Sequence, residues 1–166
     1  HYDYDNRMLA GNTDESGVPC GATGCLYSRP ADRTDAFVNV APKLGLAVTL
    51  REGLLAYANA SVGFRPPEMT ELYRLQRDQR VADLESERLD SIEIGIKGSW
   101  APLDLALSGY YMRKRNVILR DSSGFNVSDG RTSHAGLEYE LRWRLHADVD
   151  LAAAGSFARH RYEFSR

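Results

Sequence analysis

Residues 135–146 read Ala-Gly-Leu-Glu-Tyr-Glu-Leu-Arg-Trp-Arg-Leu-His, and this stretch decides the fold. Ala135, Leu137, Tyr139, Leu141, Trp143 and Leu145 share one parity, against Gly136, Glu138, Glu140, Arg142, Arg144 and His146 on the other. A period of two sends successive side chains to opposite faces of a β-strand, so this strand has one apolar and one charged face. A turn around Ala147 and Asp148 leads into Val149, Leu151, Ala153, Gly155 and Phe157, the apolar side of a last strand.

Working back toward the N-terminus, the same pattern recurs. Ile92, Ile94, Ile96 and Trp100 oppose Glu93, Gly95, Lys97 and Ser99, and Ala101 and Pro102 turn the chain into Leu103, Leu105, Leu107, Gly109 and Tyr111. Leu54, Ala56, Ala58, Ala60, Val62 and Phe64 alternate with Tyr57, Asn59, Ser61, Gly63 and Arg65. Ahead of a break at Arg51, Glu52 and Gly53, the alternation predicts one more strand running from Phe37 to Leu50. With His1 to Met8 this makes about seven strands. Met69, Leu72 and Tyr73 fall at helical spacing behind Pro66 and Pro67, which predicts a short helix inside a long loop.

These strands are longer than the roughly 5 or 6 residues usual in soluble sheets and match the roughly 9 to 11 tilted residues that cross a bilayer. Turns near Arg51, Pro102 and Ala147 are short, while Ala10 to Ala36 and Pro67 to Asp90 are long connections. Short turns at one rim and long loops at the other are the pattern of an outer-membrane barrel. Trp100 and Trp143 lie beside the short turns and Phe37, Phe64, Tyr111 and Phe157 toward the opposite ends, as two interfacial girdles would. The same aromatics would also fill the core of a soluble sheet, because alternation does not say which face is wet.

The 166 residues hold 21 Lys plus Arg against 23 Asp plus Glu, a net charge of −2 with the 4 His neutral. No basic surplus points to nucleic acid. No apolar run approaches the roughly 18 residues of a membrane helix, an exclusion that leaves β-barrels untouched. Cys20 and Cys25 sit in a Gly-rich stretch without zinc-type pairing. They are candidates for a small loop disulfide in an oxidising compartment, the alternative being two reduced thiols. His1, His134, His146 and His160 show no metal-ligand spacing. Ser133 beside His134 does not make a catalytic triad, which is defined by geometry rather than adjacency. No cofactor motif and no enzymatic constellation are expected.

The combination of Pro42-Lys43-Leu44-Gly45, Tyr57-Ala58-Asn59, Gly63-Phe64-Arg65-Pro66-Pro67 and Glu71-Leu72-Tyr73 resembles the C-terminal part of the barrel of TonB-dependent outer-membrane receptors. The resemblance continues through Asp83-Leu84, Glu87, Ser91-Ile92-Glu93-Ile94-Gly95-Ile96-Lys97-Gly98, Val117 to Asp121 and Gly136-Leu137-Glu138-Tyr139-Glu140-Leu141. It implies an all-β, antiparallel transmembrane barrel of about 22 strands around a plug, with long extracellular loops and short periplasmic turns. Residues 1–166 would be a fragment of that barrel domain without the plug. The implied function is active uptake of scarce nutrients such as ferric siderophores or cobalamin across the outer membrane of a Gram-negative bacterium. The TonB complex would be met through an N-terminal region that this sequence lacks. A small closed outer-membrane barrel with a structural or adhesive role is the alternative.

Glu93, Lys97, Glu138, Glu140, Arg142 and Arg144 share the polar parity and are expected to face the lumen or a plug, since charges at the bilayer midplane cost about 2 to 4 kcal/mol. Arg65, Tyr73 and Arg120 lie toward the loops and are candidate contacts for a small nutrient or metal-chelate ligand. Arg113 and Arg115 share the apolar parity of Leu103, Leu105 and Leu107 but stand higher, as do Arg159 and Arg161, with Arg131 on the strand between. These arginines are expected to form a patch toward outer-membrane lipid and lipopolysaccharide phosphates, which guanidinium groups bind bidentately.

Overall fold

Long period-two strands joined by short turns suit antiparallel pairing of each strand with its neighbour in the chain. The computed structural model describes residues 1–6, 33–73 and 82–163. Its elements are β1 (Tyr2–Asn6), β2 (Arg33–Phe37), β3 (Lys43–Arg51), β4 (Leu54–Arg65), α1 (Met69–Leu72), β5 (Glu87–Trp100), β6 (Leu103–Arg120), β7 (Asn126–His146) and β8 (Val149–Tyr162). Strands β3 to β8 form one 6-stranded sheet in chain order, and β1 and β2 form a separate 2-stranded sheet. Among the described residues β3 and β8 each pair on one side only, so the large sheet is open, a segment of barrel wall.

β3 joins β4 through Glu52 and Gly53, β5 joins β6 through Ala101 and Pro102, and β7 joins β8 through Ala147 and Asp148, all at one end of the sheet. Gly53 takes a positive φ of 75°, and Ser99 N–H donates to its carbonyl at 2.7 Å. At the opposite end β4 and β5 are joined by the long segment carrying α1. β6 and β7 instead climb past their neighbours to a tight hairpin, where the Asp121 carboxylate accepts the N–H of Ser123 and Phe125, each at 2.9 Å.

Two sequence expectations are corrected. The strand expected from Phe37 to Leu50 begins only at Lys43: among the described residues, 38–42 join no strand ladder, and Pro42, lacking an N–H, contributes just its carbonyl to Val62 at 2.9 Å. The second is β2, which lies inside the expected long loop. Its polar residues Arg33, Thr34 and Asp35 carry no alternation, and it is held through its backbone by β1, with Tyr4 opposite Asp35. Cys20 and Cys25 lie outside the described residues.

α1 forms where expected. Glu68 caps it and Glu71 closes a reciprocal capping box, with its carboxylate accepting the Glu68 N–H at 2.7 Å. Among the described residues the buried apolar side chains are Leu72, Leu84 and Pro67, all in the segment between β4 and β5. The sheet itself has no core, and its apolar face stands bare, with Leu44 at 75% exposure, Ile94 at 61% and Phe157 at 73%.

Candidate functional site

Strand register sorts the side chains into rows. On the apolar face Leu46, Ala58, Ile94, Gly109, Leu137 and Phe157 stand level, and Val48, Ala56, Ile96, Leu107, Tyr139 and Gly155 form the next row toward the short turns. Trp100, Leu103, Trp143 and Leu151 end that face at the turn edge. On the opposite face Lys97, Ala106, Glu140 and Ala154 make one row, and Gly95, Ser108, Glu138 and Ser156 another. Glu93, Lys97, Glu138, Glu140 and Arg142 therefore all stand on the polar face, as parity predicts. Lys97 Nζ lies 5.7 Å from the Tyr57 ring. Arg144, at the turn edge, faces Asp150 at 3.4 Å.

At the loop end the polar face closes into a clamp that the sequence reading had missed. Glu87, the first residue of β5, is 3% exposed. Its carboxylate accepts Arg65 Nε at 2.9 Å, Lys114 Nζ at 2.6 Å and the Ile118 N–H at 3.0 Å. Burial alone would raise the Glu87 pKa, but these donors outweigh it and hold the carboxyl down at about 2. The remaining Arg65 nitrogens grip Glu71 at 3.0 and 3.2 Å, and Asn126 donates to the Glu71 carbonyl at 2.9 Å. α1 is thereby tied to β4, β5, β6 and β7.

Each of the three expected ligand contacts is engaged by a neighbour within the protein. Arg65 has its guanidinium taken up by Glu87 and Glu71. Tyr73 donates its hydroxyl to Asp35 at 2.7 Å, and burial, followed by that hydrogen bond, pushes its pKa up to about 12. Arg120 donates to the Gly124 carbonyl at 2.9 Å in the β6–β7 hairpin.

Above the apolar face stand the arginines. Arg113 is level with Asp90, Ser133 and Arg161, Arg115 with Arg88 and Arg131, and Arg159 one row lower with Tyr111. Sequence reading missed the carboxylates among them. Asp90 pairs with Arg88 at 2.8 Å and with Arg115, and Glu163 lies 3.6 Å from Arg113. Ser133 stands on this face while His134 stands on the other, so no triad forms around them. The register instead places His134 opposite His160, a pairing hidden by their separation in sequence.

A family model described as TonB dependent receptor-like, beta-barrel, matches residues 1–165. Among solved structures, the FrpB iron transporter from Neisseria meningitidis (F3-3 variant) superposes with a TM-score of 0.62 at 15% identity, covering 78% of this chain and 20% of that one. Its F5-1 variant in apoprotein form gives 0.66 at 14% identity, covering 81% and 21%. The ferric-catecholate import receptor Fiu from K12 E. coli, in its closed form, gives 0.65 at 16% identity and covers 99% and 24%. The chain thus spans about a fifth to a quarter of the length of these receptors. At such identities the likeness is one of fold.

Proposed function

Because the chain belongs to the TonB-dependent receptor β-barrel family, we propose that it forms part of the wall of an outer-membrane active transporter for a scarce nutrient, a ferric chelate foremost. The observation that carries this reading is the two-faced open sheet. An apolar face bare over its full height is stable only against lipid, and unpaired edges on β3 and β8 are tolerated in a bilayer only when further strands close them. That also favours a larger barrel over a small closed one. In this reading the short turns are periplasmic, and Glu93, Lys97, Glu138, Glu140, Arg142 and Arg144 line the lumen toward a plug through which TonB acts.

The arginine patch fits the same orientation. From Leu103 to Arg113 the strand climbs roughly 25 Å at about 3.3 Å per residue and a tilt of about 40°, the height of the apolar band. Arg113, Arg115, Arg131, Arg159 and Arg161, joined by Arg88, then stand at the outer headgroups, where they exceed the local carboxylates Asp90 and Glu163 and meet lipopolysaccharide phosphates. Ferric-catecholate uptake by cells expressing the intact receptor tests transport: uptake that requires TonB and the proton gradient is expected, and its absence for every ferric chelate offered would overturn the substrate class. Replacing Arg113, Arg131 and Arg159 by Gln should lower co-purifying lipopolysaccharide at unchanged uptake. Unchanged retention would reduce these arginines to solvated strand ends.

A further inference from the structure

His134 on β7 and His160 on β8 are directly opposed on the polar face, near its loop end. Their Nδ1 atoms approach to 2.6 Å, with ring centroids 4.9 Å apart and planes inclined by 62°. Two imidazoles that touch through the same nitrogen need one proton between them, because two lone pairs would repel. The other nitrogen of His134, Nε2, lies 3.0 Å from the hydroxyl of Thr132, which is nearly buried. If Nε2 carries the proton and donates to Thr132, the His134 Nδ1 lone pair is fixed toward His160. This is the arrangement that orients metal-binding histidines, one nitrogen free and the other donating to a neighbour. Across the sheet on the other side, the residue opposite His134 on β6 is Met112. A thioether and two imidazoles thus occupy one row of three adjacent strands.

We infer that Met112, His134 and His160 form a copper-ion site on the lumen wall. Ligands bonded at about 2.0 Å to one ion stand roughly 2.9 to 3.3 Å apart, so the two Nδ1 atoms need to open by only a few tenths of an ångström. Imidazole suits several late first-row metals, whereas the soft thioether favours copper, above all Cu(I). Neutral donors without a carboxylate in the row give hard cations such as Ca²⁺ or Mg²⁺ nothing to hold.

The site does not depend on the transported nutrient, and its test reads binding rather than uptake. The intact receptor is purified in detergent, its affinity tag removed, and titrated with Cu(II) against a chromophoric chelator while the copper spectrum is recorded by electron paramagnetic resonance. One tightly bound equivalent with nitrogen hyperfine splitting is expected. It should weaken at least tenfold in His160→Gln and vanish in the His134→Gln/His160→Gln pair, with the barrel shown intact by its heat-modifiable mobility. Thr132→Val should weaken binding by about tenfold while keeping the nitrogen splitting, the mark of a positioning residue. With ascorbate as reductant and a Cu(I)-selective chromophoric chelator as competitor, Met112→Leu should weaken Cu(I) at least tenfold and spare Cu(II). Tight copper that survives in the double variant, or a wild type that takes up no tight equivalent, would overturn the site.

Discussion

The rim and the band of this sheet are built on opposite principles. In the band, between the rows of Trp100 and Tyr111, the sheet has no interior, and its apolar side chains reach outward to a solvent that must itself be apolar. At the rim, the most deeply buried side chains include a carboxylate, and order comes from charge-assisted hydrogen bonds around Glu87 and from the burial of Leu72 and Leu84 in the segment between β4 and β5. The band is stabilised by where it sits and the rim by what it contains. Mutations should therefore act on the two in different currencies of solvent.

The largest effect is expected at Glu87. Glu87→Ala removes the shared acceptor of Arg65, Lys114 and the Ile118 N–H at once, and hydrogen bonds to a charged group are worth about 1.5–3 kcal/mol each. Hydrogen exchange at the Ile118 amide should accelerate accordingly and the segment between β4 and β5 should become protease-sensitive; unchanged protection would show that the clamp holds nothing. Acid should reproduce this loss. The folded carboxyl titrates at about 2 against an ordinary 4.5, so its contribution is complete above the ordinary value and disappears as pH falls from about 4.5 through about 2. Release of the rim already at pH 5 would contradict that window.

Next comes Leu107→Arg on the apolar face near mid-height, which should cost about 2–4 kcal/mol in vesicle-embedded receptor, whereas Ser108→Arg, one residue on and on the polar face, should cost close to nothing. Equal costs would erase the distinction between the faces. Smaller again is Gly95→Ala, whose new Cβ would lie 2.5 Å from the Tyr57 ring, an overpacking of about 1–3 kcal/mol. Gly109→Ala is the control, with nothing nearer than the Gly136 carbonyl at 3.8 Å, and denaturant midpoints should separate the two. The smallest effect belongs to Arg144→Gln. Both members of its pair with Asp150 are more than half exposed, so about 1 kcal/mol or less should be lost.

Much of this architecture is legible in the sequence, for a physical reason. β4 to β8 are two-faced, and a two-faced strand must write its period into the chain. β2 has no apolar face to write and escaped notice, while Val38 and Val40 continued the period of β3 without continuing its pairing. The polar-face charges followed from parity alone. The Glu87 clamp did not, although the hint was there: Arg65 and Glu87 keep the polar parity of their strands and carry opposite signs at adjacent tops. His134 and His160 were equally recoverable, since reflecting the chain about the turn at Ala147 brings them together. Spacing along one strand was the wrong ruler for a site made across two.

The tyrosines laid over glycines have a consequence for assembly. Tyr57 lies against Gly95 on the neighbouring strand, Tyr110 against Gly136 and Tyr139 against Gly155, each the direct cross-strand partner, and Asn59 leans on Gly45 in the same way. A strand sliding by two residues keeps its faces and its hydrogen bonds, so hydrophobicity cannot detect the error. The rings can. Slipped by one such step, Tyr57 would strike Glu93 or Lys97 where it now finds a vacant notch. Each tyrosine and its glycine act as key and ward, so the register of neighbouring strands is set by shape where hydrophobicity leaves it open.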